Sequence, residues 1–248
     1  MTTSRSAHWL CLLLAIAAAP CSVRAESDTL FAKANEEYAQ KHYEEAVQDY
    51  ESLVSARQWS APLLYNLGNA YFRNGDFARA ILSYERALAL DPHHPEAAAN
   101  LSVARDETRA LELQRTRPER WLKFAATNQL TITATVAFWI AAFSIAAMFL
   151  VHRRSMGLIV LSILALSVVA VAAISIIQVE SAAKSLAVVT RSGVTARVAT
   201  ADNAKSVLTL PPGSEIRIMS ERGDWIYALL PNNLRGWVPG SSVESVRL

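Results

Sequence analysis

Two long stretches of this chain carry no charged side chain at all: residues 130–151 and 157–179. At 1.5 Å per residue, about 20 helical residues cross a hydrocarbon core of roughly 30 Å, so each run is long enough to span a bilayer. A core helix of a globular protein keeps a polar face, and neither run has one of any width. The chain is therefore expected to be a two-pass membrane protein, with transmembrane helices at 130–151 and 157–179 joined by a cytoplasmic turn, 152–156, containing Arg153 and Arg154. The spans contain no ionisable residue, which argues against a proton or ion path. Ala137 and Ala141, then Ala142 and Ala146, place small faces at helical spacing where the two spans can approach closely.

The spans divide the chain into an N-terminal and a C-terminal part with different periodicities. Residues 26–113 are rich in helix formers, with apolar residues every three or four positions. They also repeat: Leu30, Ala34, Tyr43, Ala46, Tyr50 and Leu53 return about 34 residues later as Leu64, Gly68, Phe77, Ala80, Tyr84 and Ala87. This spacing and the run Tyr65-Asn66-Leu67-Gly68-Asn69-Ala70-Tyr71, followed by Gly75-Asp76-Phe77 and Pro92, resemble the tetratricopeptide repeat, a helical hairpin that stacks into a solenoid. Asn74-Gly75-Asp76 supplies the turn inside the second hairpin, with Asp76 placed to cap the next helix. Residues 96–113 begin a third unit, Asn100-Leu101 echoing Asn66-Leu67, whose second helix never arrives. A lone helix there covers the open seam of the last repeat.

In such hairpins the first helix of each unit lines the concave face. That assigns Phe31, Asn35 and Tyr38 in the first unit, and Tyr65, Asn69, Phe72 and Arg73 in the second, as candidate partner-binding residues. Asn35 and Asn69 hold equivalent positions. A side-chain amide both donates and accepts, so an asparagine row suits an extended peptide; amides in half-buried places equally serve local satisfaction, and Asn66 and Asn100 can bond within the solenoid. A groove that clamps a peptide's terminal carboxylate needs lysines beside the asparagines, and Lys33 is the only one nearby, at a different position. Leu67, Gly68, Ala80, Tyr84 and Ala87 belong to the packed seam, where a small residue permits close approach.

The ends of the chain add compartment. Arg5, the apolar stretch 9–19 and Val23-Arg24-Ala25 form a secretory signal pattern, with cleavage expected after Ala25. A lipoprotein reading would use Cys21, but Pro20 directly before it fits poorly. Both cysteines, Cys11 and Cys21, lie in the segment to be removed, so the mature chain would have no disulfide, thiolate or cysteine metal chemistry. Residues 26–113 carry 15 acids against 8 bases, and losing Arg5 and Arg24 takes the 24 basic residues to 22, level with the 22 acids. Nucleic-acid binding thereby loses its electrostatic support. With the repeats exported, the first span enters and the second returns, leaving both terminal domains on the periplasmic side of the inner membrane. Counting cations agrees only in part, because four (Arg115, Arg117, Arg120, Lys123) precede the first span and two lie in the turn. The leading signal takes precedence. Residues 114–129, which also hold Trp121 and Phe124, read as a basic juxtamembrane linker, suited to lipid headgroups.

Beyond the spans, 180–248 reads as a linker and a small β domain. The runs 187–189, 206–210, 215–218, 225–229 and 236–238 are β-prone, and Pro211-Pro212-Gly213, Arg222-Gly223-Asp224 and Pro231-Asn232-Asn233 between them are turn chemistry. Five short strands are expected to close into a barrel that hides its edges. The series Leu210 to Gly213, then Gly223-Asp224-Trp225, then Gly236-Trp237-Val238-Pro239 resembles bacterial SH3-like domains. Trp225, Tyr227 and Trp237 are candidate groove aromatics, although a small barrel also needs large side chains inside, which makes core positions the expectation for at least two of them. Ser242 stands where the groove tyrosine of proline-peptide-binding SH3 domains would follow Pro239, which argues against that ligand class.

The expected fold is a multidomain α + β membrane protein: an α-helical tetratricopeptide solenoid, a two-helix transmembrane hairpin and a small all-β SH3-like barrel. In that order, after a signal peptide, these parts resemble the Bat aerotolerance family, BatE type. The resemblance implies a non-catalytic membrane scaffold associated with von Willebrand A-type membrane proteins and a MoxR-type ATPase, in aerotolerance or envelope stress survival. Binding of cell-wall peptidoglycan through the SH3-like domain is the alternative it leaves open. No phosphate loop, nucleophile elbow or histidine–glutamate zinc motif occurs; no enzyme activity and no cofactor are expected. Asp91, His93, His94 and Glu96 cluster as possible metal ligands, but adjacent histidines diverge and a solvated turn is expected instead.

Overall fold

A computed structural model describes residues 28–114, 127–150 and 155–247. The expected signal peptide, most of the basic linker and the arginines of the turn lie outside these residues. Five helices open the described chain: α1 (residues 28–39), α2 (Tyr43–Ser55), α3 (Ala61–Arg73), α4 (Phe77–Leu90) and α5 (Pro95–Thr108). Their starts follow local chemistry. The Ser60 hydroxyl accepts from the Leu63 N–H (3.3 Å) with Pro62 in the first turn, and the Asp76 carboxylate accepts from the Arg79 N–H (3.0 Å). The latter is the cap expected from Asn74-Gly75-Asp76, and Gly75 takes the positive φ (+84°) that the turn requires.

Consecutive helices pack as antiparallel hairpins, with Ala34, Ala46, Tyr50, Leu53, Leu63, Leu67, Ala70, Ala80, Ile81 and Tyr84 buried in a continuous core. The close approach turns on Gly68, where a Cβ would lie 2.5 Å from Tyr84 Cε1. On α5, Ala97, Leu101 and Ala104 are buried at helical spacing against α4, so this helix covers the seam as expected. It is shorter than the 96–113 expected. Arg109 ends it in the left-handed region (φ 53°), and the residues beyond turn away as an extended strap.

Two long apolar helices follow, α6 (Thr127–Leu150) and α7 (Met156–Ser185). Their stretches Gln129–Leu150 and Met156–Gln178 are long and apolar enough to cross a membrane. They pack on each other through small side chains: Ala137, Ala141 and Ser144 on α6, and Ser162, Ala165 and Ala172 on α7, are all buried. Phe143, Phe149, Val171 and Ile177 face outward, each more than 60% exposed. A pair of soluble core helices would bury these side chains.

The helix α7 runs past its apolar stretch, through Ser185, and passes without a linker into a seven-stranded antiparallel sheet. Its strands are β1 (Leu186–Val189), β2 (Val194–Arg197), β3 (Ser206–Leu210), β4 (Glu215–Arg222), β5 (Trp225–Leu229), β6 (Arg235–Pro239) and β7 (Val243–Ser245). All five expected runs are strands. Two more, β2 and β7, are only four and three residues long and are held in place by pairing with β3 and β1. The expected closed barrel is not seen: the order is β3-β2-β6-β5-β4-β1-β7, with no pairing between β3 and β7 among the described residues.

The inner face of the sheet is a compact core of Ala187, Val189, Val194, Ala196, Leu210, Ile216, Ala228, Leu230 and Val238. Because side chains alternate between faces, Leu186 and Val188 take the outer face, where they join Val246 in the core of the helical repeats.

Candidate functional site

The concave face of the repeats is built from α1, α3 and α5. Of the seven residues expected there, all on α1 and α3, Phe31, Asn35, Tyr38, Tyr65, Asn69 and Phe72 are half-buried and Arg73 is exposed. Each aromatic ring is braced by a second one. Ring centroids lie 6.0 Å apart for Phe31 and Tyr50, 5.5 Å for Tyr38 and Tyr43, 6.1 Å for Tyr65 and Tyr84, and 5.1 Å for Phe72 and Phe77. Braced rings lose little rotamer freedom when a partner docks. The neighbouring Tyr38 side chain holds the Arg73 guanidinium above its ordinary pKa.

The asparagines have a different role from the one a peptide clamp would give them. Asn35 Oδ1 accepts from the Tyr50 hydroxyl (2.6 Å) and from Asn66 Nδ2 (2.8 Å). One repeat later, Asn69 Oδ1 accepts from the Tyr84 hydroxyl (2.8 Å) and from Asn100 Nδ2 (2.8 Å). A carbonyl oxygen has two lone-pair sites, and both are taken. The row is a ladder that ties each repeat to the next and to its own second helix. Burial pushes the Tyr50 pKa up to about 12, with the Asn66 amide opposing it, and burial raises Tyr84 as well. Lys33 pairs with Asp49 (2.8 Å). The third helix extends the face with Ala99 and Val103, both exposed and one repeat beyond Tyr65 and Asn69, which the sequence reading did not single out.

The cluster at 91–96 serves the backbone. His94 Nδ1 accepts from the Ala97 N–H (3.3 Å) at the start of α5 and its ring lies 4.8 Å from that of Tyr65, while Asp91 accepts from the His93 N–H (3.1 Å). Among the described residues, no three histidine, cysteine or acidic side chains are placed to hold a metal ion.

The opposite side of the repeats is occupied, and this the sequence did not show. Arg105 on α5 inserts between Glu85 of α4 and Glu215 of β4, bonding Glu85 Oε1 (2.5 Å) and Glu215 Oε1 through the same Nη2, with all three side chains largely buried. Glu215 Oε2 also accepts from the Leu113 N–H (3.2 Å). The strap after α5 runs beside β4, the Glu215 N–H donating to Leu111 O (2.9 Å) and the Leu111 N–H to Ser214 Oγ (3.0 Å). Arg86 donates twice to Ser245 O (2.8 and 3.3 Å); burial holds its guanidinium below the ordinary range, against the pull of Glu244. A Cβ at Gly213, whose φ is +84°, would overlap Ile81 Cδ1. Beside this joint is a cleft of about 320 Å³ lined by Glu51, Tyr71, Arg79, Arg86 and Glu244.

Trp225, Tyr227 and Trp237 overturn the expectation of core positions. Ile226 pairs with the buried Val238, which puts Tyr227 and its partner Trp237 on the outer face; their centroids are 5.0 Å apart and all three rings are half-buried, outside the sheet core. Ser242 is buried, its hydroxyl donating to Pro239 O (2.6 Å).

The geometry of α3 and α4 is that of a tetratricopeptide repeat, and the tetratricopeptide repeat family model matches residues 61–94, the hairpin together with the turn that follows it. None of the curated proteins matches the chain. Repeats of this class are protein-binding scaffolds, which makes the open concave face the candidate functional site.

Proposed function

We propose that this chain is a non-catalytic, membrane-anchored adaptor that binds protein partners on the concave face of its repeats. The observation that carries the reading is the asymmetry of the solenoid. The convex side is filled by the sheet through Arg105 and Arg86, while Phe31, Tyr38, Tyr65, Phe72 and Arg73 stay open, braced and uncovered by the described part of the sheet. Aromatic rings and arginine are the side chains that dominate protein interfaces. Two outward-apolar helices support anchoring in a bilayer. The signal pattern supports an orientation with the repeats and the SH3-like C-terminal part on the periplasmic side of the inner membrane. The order of parts supports a BatE-like role in aerotolerance or stress survival, with partners among von Willebrand A-type membrane proteins and a MoxR-type ATPase system.

Anchoring makes a small groove sufficient, because partners confined to one membrane meet at high effective concentration. The test is crosslinking in the native membrane followed by purification in detergent. One protein should co-purify in fixed ratio with the unaltered chain and drop at least tenfold with Arg73→Glu. A partner retained equally by Arg73→Glu and by Phe72→Ser refutes the groove. Protease protection in intact and permeabilised cells checks the orientation; repeats protected behind the inner membrane would refute it.

A further inference from the structure

The outer face of the sheet is only half covered. Paired residues share a face, so its rows can be followed from the register. Val188 with Glu215, and Leu186 with Arg217, form the rows that meet the repeats. The next row is Ser220, Tyr227, Trp237 and Arg197, and the last is Arg222, Trp225 and Pro239. These two rows are largely open: Arg222 and Ser220 are exposed and the rings are half-buried, while Arg197 is half-buried with Nη1 donating to Ala204 O (2.9 Å).

Their distance from the bilayer follows from chain direction. Helix α7 leaves its apolar stretch at Gln178 and reaches Leu186 eight residues later, about 12 Å at 1.5 Å per residue. Strand β4 runs antiparallel to β1, so beyond Arg217 it turns back alongside α7, with which it is in contact. Allowing for the bulge between Ile218 and Ser220, Arg222 lies about 13 Å further back at 3.3 Å per residue. The tip of the β4–β5 hairpin therefore returns to the level at which the apolar stretch ends. Arg247, just beyond β7, is held there too, 3.4 Å from Glu180.

Rings with an apolar body and a polar edge settle at headgroup level, and arginine forms charge-assisted, often bidentate bonds to phosphate. We propose that the hairpin end of the open outer face, with Arg222, Trp225, Tyr227 and Trp237, sits among the phospholipid headgroups of the bilayer that α6 and α7 cross. Glu221 takes the inward register opposite Ile226 and, with Asp202 and Asp224, lines an open cleft of about 610 Å³ whose other wall includes Trp225 and Pro239, so the acids border this end of the face while Arg222 supplies its cation. Docked in this way, the sheet fixes the height of the repeats above the membrane, since Arg105 and Arg86 join the two.

The inference rests on the membrane-anchoring reading, and one experiment separates their failures. The full chain is reconstituted in vesicles of phosphatidylethanolamine and phosphatidylglycerol, as variants keeping a single tryptophan with phenylalanine at the others. Trp139, inside the span, should be quenched by lipid brominated along the acyl chain. Trp225 should be quenched by headgroup spin-labelled lipid at least threefold more than Trp59, which lies on the loop between α2 and α3. Arg222→Glu, an exposed change that spares the fold, should cut Trp225 quenching at least in half. Trp139 quenched, with Trp225 and Trp237 no more quenched than Trp59, overturns this inference alone. Trp139 unquenched overturns the anchoring reading and this one together. Trp225 unquenched by the labelled lipid but changed in emission on adding purified peptidoglycan overturns it in favour of a wall polymer.

Discussion

Replacing Arg105 by alanine is the sharpest perturbation of this architecture. Its guanidinium is the cation shared by two buried carboxylates, Glu85 and Glu215, whose side chains are 8% and 2% exposed. Removing it takes that shared counter-charge away and withdraws two charge-assisted hydrogen bonds. Breaking a buried pair in this way costs about 3–5 kcal/mol, and here the loss falls on the joint between repeats and sheet. At 1.4 kcal/mol per factor of ten, that is roughly a hundredfold to a few-thousandfold more frequent opening of the joint. Amide hydrogen exchange of the full chain in detergent reads it directly: the Leu111, Leu113 and Glu215 N–H groups, all bonded across the joint, should lose protection by that factor. Amides in the middle of α1 should change little. Adding Glu85→Gln and Glu215→Gln to Arg105→Ala should restore most of the protection, since neutral amides can bond each other where carboxylates repel. Protection at the joint unchanged within threefold in the single variant refutes the assignment of this network as the lock.

Other consequences follow from the same geometry. Gly68→Ala forces its Cβ against Tyr84 and should lower the thermal stability of the repeats by about 1–3 kcal/mol from overpacking, offset by up to about 1 kcal/mol of helix propensity. Asn69→Ala removes the acceptor shared by Tyr84 and Asn100 and should cost about 1–3 kcal/mol by denaturant titration, through the buried hydroxyl left unpaired. Tyr50 titrates near 10 when unfolded and at about 12 when folded. Above pH 10 the unfolded chain thus releases a proton that the folded chain keeps, so this contribution is intact below about pH 10 and lost as pH rises toward 12. Helical circular dichroism should follow that alkaline loss, and Tyr50→Phe should reduce it.

Most of the local structure was legible in the amino-acid order because it depends on neighbours along the chain. The 34-residue period located α1 to α5, Asn74-Gly75-Asp76 located a turn and its cap, and the uncharged runs located the apolar stretches of α6 and α7 to within a residue or two. Alternation and turn residues found five strands, but β2 and β7 are too short to show a period and exist because partners hold them. The equivalence of α1 and α3 positions, Asn35 with Asn69 among them, was readable from the repeat register. The meaning of Asn35 and Asn69 was not, since which atoms satisfy a carbonyl oxygen is a property of the packed neighbours.

What only the tertiary structure decided lies between elements distant in the chain. Arg105 and Glu215 are 110 residues apart and neither belongs to a motif. The face taken by Trp225, Tyr227 and Trp237 was set by register against Val238, so large side chains expected inside a small barrel stand outside it. The early end of α5 has the same origin, because Leu111 and Leu113 bond to Ser214 and Glu215 and cannot continue a helix. Sequence by itself determined an apolar hairpin between a helical repeat and a β domain, because periodicity and charge are local quantities. Long-range pairing and desolvation decided that the repeat and the sheet lock together, and that the concave face of one and the aromatic face of the other remain open.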